Sequence, residues 1–166
     1  MNIICVEDGI LLFDKILVPV DGSKHSLRAL DIAIQMAKRF DGRITLINVY
    51  SVGVRPIVMA EPATLTPPSV PIMSSADFSK VVEAARKTGT NILTDCEKKV
   101  NAEGIQVETL LKEGHTVQEI LRTAGESEFD LVVMGARGVS KIREILLGSV
   151  SDGVIRNAPC PVLVTK

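Results

Sequence analysis

Four residues late in the chain, Gly135, Gly138, Gly148 and Ser149, follow the spacing G-x2-G-x9-G-S. A stretch of this kind can hold an anion with its main chain. Gly135 closes an apolar run at a point where a side chain would block the approach of a ligand. Gly138 permits a positive-φ turn that points successive amide N–H groups inward as an anion nest. The residues from Ser140 to Leu147 are expected to make a short helical step. Gly148-Ser149 then opens a helix, whose free N–H donors and positive dipole end favour a phosphate. Ser149 can add a hydroxyl, and Arg137 either adds charge to the site or points to solvent. A second Gly-marked segment, Pro19-Val20-Asp21-Gly22-Ser23, follows an apolar run near the start of the chain. Asp21 reads as a ligand anchor, as an N-cap for the helix that follows, or as both.

These segments need a scaffold that brings them together. Lys15 to Val20 reads as a strand, and Leu27, Leu30, Ile34 and Ala37 recur at helical spacing between Ser26 and Phe40. Asp41-Gly42 ends that helix, with Gly42 as the left-handed cap. Arg43 to Tyr50 is a second strand. A Pro-rich insert, 51–75, contains Pro56, Pro62, Pro67, Pro68 and Pro71, and is either a lid over a site or a disordered loop. A long helix from Ala76 to Ala102 is expected to be strained at Gly89, since Gly costs about 1 kcal/mol relative to Ala. Ile105 to Leu111 is a third strand, and Thr116-Val117-Gln118-Glu119 is a capping-box pattern opening a third helix. Asp130 to Gly135, Val150 to Asn157 and Pro161 to Lys166 complete the series as strand, helix and strand.

The order is β-α-β-α-β-α-β-α-β. Right-handed crossovers turn this into an α/β fold, a doubly wound five-stranded parallel sheet with helices on both faces. Its expected strand order is 3-2-1-4-5. Runs such as Ile16-Leu17-Val18 and Leu131-Val132-Val133-Met134 are apolar at every position, as strands covered on both faces are. In such sheets a ligand sits beyond the carboxyl ends of the strands, where the winding reverses. The segments after strands one and four would meet there. Residues 1–14 form an apolar leader broken by Glu7-Asp8-Gly9, which suits an extra strand, a packed arm or a disordered tail. Residues 15–166 make the single domain.

Composition narrows the function. The chain has 166 residues, a net charge of −1 and only 3% aromatic residues, so its core is aliphatic and it lacks a general nucleic-acid footprint. Cys5, Cys96 and Cys160 are widely spaced, which disfavours a disulfide framework or a zinc site and suits a reducing cytoplasm. No apolar stretch approaches the roughly 18 residues that span a bilayer. The first residues lack the basic start of a signal peptide. A soluble, cytoplasmic protein is expected.

The segments Ile16 to Ser23, Val132 to Gly138, Leu146 to Ser151 and Ala158 to Val164 together resemble the universal stress protein family. The G-x2-G-x9-G-S spacing is similar to that of its ATP-binding branch. The resemblance implies a Rossmann-like domain, akin to the adenine nucleotide alpha hydrolases, that binds ATP. It places Asp21 against ribose or adenine, with Pro19 shaping that wall. Val49 would offer a backbone or apolar contact to adenine, and Met134 and Gly135 would border the nucleotide. Gly138, Gly148, Ser149, Val150 and Ser151 would hold the phosphates, with Arg137 beside them. Mg²⁺ or Mn²⁺ could bridge the phosphates, with no dedicated carboxylate cage in view. A homodimer through the last strand is implied as well, and that strand would present an apolar edge.

Three functions compete: a nucleotide-dependent regulatory protein with a protein partner still to be identified, a slow ATPase or PP-loop-like ATP-cleaving enzyme, and an interaction module without nucleotide. Asp21-Gly22-Ser23-Lys24-His25-Ser26 lacks the second glycine of a PP-loop, and no Walker pattern occurs. Hydrolysis needs a positioned water and a base, and neither is evident. His25 reads as an exposed helical residue, His115 as a loop residue, and Cys160 as a packed position between prolines. A regulatory binder is the reading favoured by the intact spacing.

Overall fold

The computed structural model describes residues 13–51, 75–139 and 147–166; most of the leader and of the Pro-rich insert lies outside them, as does 140–146. The elements are β1 (Lys15–Pro19), α1 (Lys24–Phe40), β2 (Arg43–Tyr50), α2 (Ser75–Ala102), β3 (Val107–Glu113), α3 (Thr116–Glu126), β4 (Leu131–Gly135), α4 (Ser149–Asn157) and β5 (Val162–Thr165). The five strands form one sheet in the order β3-β2-β1-β4-β5, as expected. Every pairing is parallel.

The wholly apolar runs within β1 and β4 are explained by the two cores they serve. Ile16, Val18, Leu46 and Val133 point to one face and pack with Leu30, Ala33 and Ile34 of α1 and Leu93, Cys96 and Val100 of α2. Leu17, Ile47, Val132 and Met134 point to the other face, against Ile120 and Ala124 of α3 and Val154 of α4. Alternate residues of β1 therefore enter different cores, and Ile16, Leu17 and Val18 are all fully buried. Each such side chain contributes roughly 1.5–3 kcal/mol by leaving water.

Local differences from the sequence reading have simple causes. The left-handed residue at the end of α1 is Asp41, with φ 55°, and not Gly42. Gly42 instead provides clearance, because a side chain there would run into the main chain at Phe13 and Asp14. Strand β3 runs on to Glu113, two residues further than expected, and the Gly114 turn then makes His115 the cap of α3. Thr116 is the first helical residue, so the expected capping box does not form; Glu119 pairs with Arg122 instead. Helix α2 continues through Gly89. That residue is buried, and a Cβ on it would strike the Asn48 carboxamide and come within 2.7 Å of Leu111 Cδ1. The glycine marks close helix–sheet packing rather than strain.

Candidate functional site

The winding reverses between β1 and β4, which pair through Ile16 with Leu131 and Leu17 with Val132. Beyond their carboxyl ends lies a cavity of about 810 Å³. Pro19, Asp21, Val49, Met134, Gly135, Arg137, Gly138, Gly148, Ser149, Val150 and Ser151 all line it. The structure thus brings together every site residue singled out in the sequence.

One wall is the turn after β1. Asp21 accepts a hydrogen bond from the Ser23 amide through Oδ1, at 2.9 Å. The N-cap of α1 is Ser23, whose hydroxyl accepts from the Ser26 amide at 3.2 Å. Asp21 therefore braces the turn without capping the helix, and among the described residues nothing donates to its Oδ2. That oxygen faces Gly138: a Cβ built on Gly138 would lie 2.5 Å from it. Gly138 does not have positive φ, a conformation found among the described glycines at Gly22, Gly104 and Gly114. The expected left-handed nest is absent there, and Gly138 is small because the Asp21 carboxylate fills the space a side chain would need. Gly135 is likewise small for its neighbour. A Cβ on it would lie 2.7 Å from the His25 carbonyl carbon and 2.9 Å from the Ser26 amide nitrogen, so α1 occupies the space the sequence reading left for a ligand.

The opposite wall is the start of α4. Gly148 is its N-cap, with φ −75° and no side-chain cap. The first helical bond runs from the Asp152 amide to the Gly148 carbonyl, at 2.9 Å. The amides of Ser149, Val150 and Ser151 therefore have no acceptor within the helix, and all three residues line the cavity. The helix start is held in place by the Ala136 carbonyl. It accepts from the Gly148 amide at 2.7 Å and from the Ser151 hydroxyl at 2.9 Å. Ser151 is 2% exposed, so its hydroxyl serves this brace while its amide remains available. Arg137 is half-buried and belongs to none of the ion pairs among the described residues. Asp152, also on the wall, is held by Arg156 at 2.9 Å, and that hydrogen bond keeps its carboxyl below the usual carboxylate range.

Several lining residues escaped the sequence reading, among them Ser26, Ile47, Asn48, Thr116, Ile120 and Leu147. Asn48 left a signal: it is a carboxamide in the otherwise apolar end of β2, and it is 6% exposed. Ile47 and Ile120 look like ordinary core residues, and nothing local distinguishes them. Neither His25 nor Cys160 lines the cavity, and burial pushes the Cys160 thiol above its ordinary range. Among the described residues no group of three His, Cys, Asp or Glu could hold a metal. No described helix is long and apolar enough to cross a membrane.

Known proteins place this geometry in context. The universal stress protein family model matches residues 12–166. A universal stress protein of Methanocaldococcus jannaschii is 34% identical over 161 residues, covering 97% of this chain and 86% of that protein. Universal stress protein UspA from Lactobacillus plantarum shares the fold with a TM-score of 0.76 at 23% identity, covering 93% of this chain and 98% of that one. A universal stress protein solved in complex with cAMP superposes with a TM-score of 0.61 at 26% identity, covering 93% of this chain and 97% of that one. A family model that matches nearly the whole described chain, together with a one-third identical relative, leaves one conclusion: this chain belongs to the universal stress protein family.

Proposed function

We propose that this chain binds ATP in the cavity at the β1–β4 reversal and acts as a nucleotide-dependent regulatory protein. The observation that carries the reading is the uncapped start of α4. Three unbonded amides and a helix dipole open onto a cavity large enough for a nucleotide, and Arg137 stands beside them. The phosphates belong at Gly148, Ser149, Val150 and Ser151. The ribose and base belong toward Asp21 and Val49, against the apolar surface of Ile47, Ile120 and Met134. The family member solved in complex with cAMP supports an adenine nucleotide as the occupant.

The polar residues suit binding better than cleavage. The carboxylates on the cavity wall are Asp21, engaged with the Ser23 amide, and Asp152, engaged with Arg156. Among the described residues no side chain orients either carboxylate as a base toward a water, which favours slow hydrolysis at most. With no three-ligand cluster among the described residues, Mg²⁺ or Mn²⁺ would take its ligands chiefly from phosphate oxygens and water. Val139, 74% exposed, and Leu147 flank the cavity, so an occupant would change a surface that a partner protein could read.

A homodimer through β5 fits the same reading. Strand β5 is at the sheet edge, and the carbonyls of Pro161, just before it, and of Thr165 accept from the Val132 and Ala136 amides at 2.9 and 2.7 Å. The alternate residues Val162 and Val164 therefore turn their main chain outward, free to pair with a second copy.

The test is to denature freshly purified protein and identify the nucleotide released. Abundant ATP is the expected result. ADP with steady phosphate release would favour the slow ATPase. No nucleotide, even after incubation with ATP, would refute the proposal.

A further inference from the structure

The main-chain ladder between β1 and β2 ends at the cavity, and a side chain takes over its last rung. In β2 the main chains of Arg43, Thr45, Ile47 and Val49 face β1, as the bonds from the Arg43 amide to the Asp14 carbonyl, at 2.7 Å, and from the Val20 amide to the Ile47 carbonyl, at 2.9 Å, establish. The next rung of a parallel ladder would run from the Val49 amide to the Val20 carbonyl. It is not made. The Val20 carbonyl accepts instead from Nδ2 of Asn48, at 2.7 Å in a buried setting. The Val49 N–H and C=O thus keep their direction toward β1 but have no partner there, and they open onto the cavity that Val49 lines.

We infer that Asn48 is a positioning residue for base recognition: its carboxamide caps the end of β1 and so frees the Val49 main chain to read the edge of a purine. A neighbouring N–H and C=O on one residue offer a donor and an acceptor, which is the pattern complementary to the N1 acceptor and N6 donor of adenine. Guanine presents the reverse pattern, an N1 donor and an O6 acceptor, so the pair discriminates by polarity. The carboxamide is held from behind by α2, where only a glycine fits: Gly89 lies directly against Asn48 Oδ1. The same bond fixes the residue preceding Asp21, so one side chain sets both the base-reading edge and the turn that carries the carboxylate. This inference rests on the nucleotide reading above and assigns its selectivity.

The experiment combines amide exchange with binding on the full chain. In the ligand-free wild-type protein the Val49 amide exchanges fast, and it slows when ATP is added. In Asn48→Leu the Val20 carbonyl recovers the Val49 amide, so that amide is slow without ligand. ATP binding in this variant falls by about tenfold or more, as expected for lost hydrogen bonds in a buried site, and the preference for ATP over GTP falls toward unity. Binding of inorganic tripolyphosphate, which has no base, changes by less than about twofold. Should Asn48→Leu fail to fold, Asn48→Ala removes the same carboxamide without adding bulk and is expected to give the same loss of selectivity. A slow Val49 amide in the ligand-free wild-type protein overturns the inference, as does a folded variant with its ATP preference intact. Wild-type protein that binds no ATP yet exchanges fast at Val49 overturns the nucleotide reading and not the missing rung.

Discussion

Replacing Gly138 with alanine tests the contact between the two walls of the cavity. The new Cβ would stand 2.5 Å from Asp21 Oδ2, and contacts under 3.0 Å do not persist, so the carboxylate must retreat by about half an ångström or more. The backbone at Gly138 is not left-handed, so alanine brings no left-handed strain, and among the described residues the clash is with the end of the Asp21 side chain alone. The fold should hold within about 1 kcal/mol. The site should not: moving the carboxylate breaks its alignment with Ser23 and with any hydroxyl it binds. A hydrogen bond to a charged group contributes about 1.5–3 kcal/mol, so the ATP dissociation constant should rise roughly 10- to 100-fold. Calorimetric titration of the wild type, Gly138→Ala, Asp21→Ala and the double variant closes the cycle. With no carboxylate to displace, Gly138→Ala should cost less than about twofold in the Asp21→Ala background. Equal losses in both backgrounds would show that Gly138 acts on the phosphates directly and that the clearance explanation is wrong.

Gly135→Ala should behave in the opposite way. Its Cβ meets the main chain of α1 at 2.7–2.9 Å, which cannot yield as a side chain tip can, and a loss of about 3 kcal/mol in urea unfolding is expected; a near-neutral variant would disprove the packing role. Ser151→Ala removes the buried hydroxyl brace on Ala136 and should cost about 1–2 kcal/mol of stability, read from the same unfolding curves, with no loss at all counting against the brace. Arg156→Gln should raise the Asp152 carboxyl toward its ordinary range. That carboxyl is depressed in the folded chain, so its pairing with Arg156 helps above the unfolded value and is lost as pH falls through the folded one; a carbon-detected NMR titration that shows no rise would contradict the assignment. Val164→Pro removes an outward amide from β5 without touching the rungs to β4, and sedimentation should then show monomers, whereas an unchanged dimer would place the interface elsewhere.

How far the sequence reaches depends on whether a signal is local. The two faces of the sheet were legible because the runs Ile16–Val18 and Leu131–Met134 are apolar at every position, which only a doubly covered strand tolerates. Val49 and Met134 were indicated by the family resemblance alone, whereas the glycine turns of the cavity were legible because glycines at strand ends mark close approach. What each glycine approaches was not. Gly138 makes room for Asp21, 117 positions earlier, and Gly135 for α1; the same residue type also serves a left-handed turn, and sequence alone offers no means of choosing. The cap of α3 was misplaced for a related reason, since the length of an edge strand, not the Thr-x-x-Glu pattern, decides where the helix begins. Asn48 shows the limit most clearly. Its polarity within β2 was visible, but the meaning of that polarity depends on a carbonyl 28 residues away and a helical glycine 41 residues on.

The Ala136 carbonyl, which receives both the Gly148 amide and the Ser151 hydroxyl, ties the first turn of α4 to the residue that directly follows β4. The seat of that turn is therefore set by the sheet itself. A shift at the end of β4 would pass straight to the amides of Ser149, Val150 and Ser151, so the helix donors keep register with the strand they stand beside.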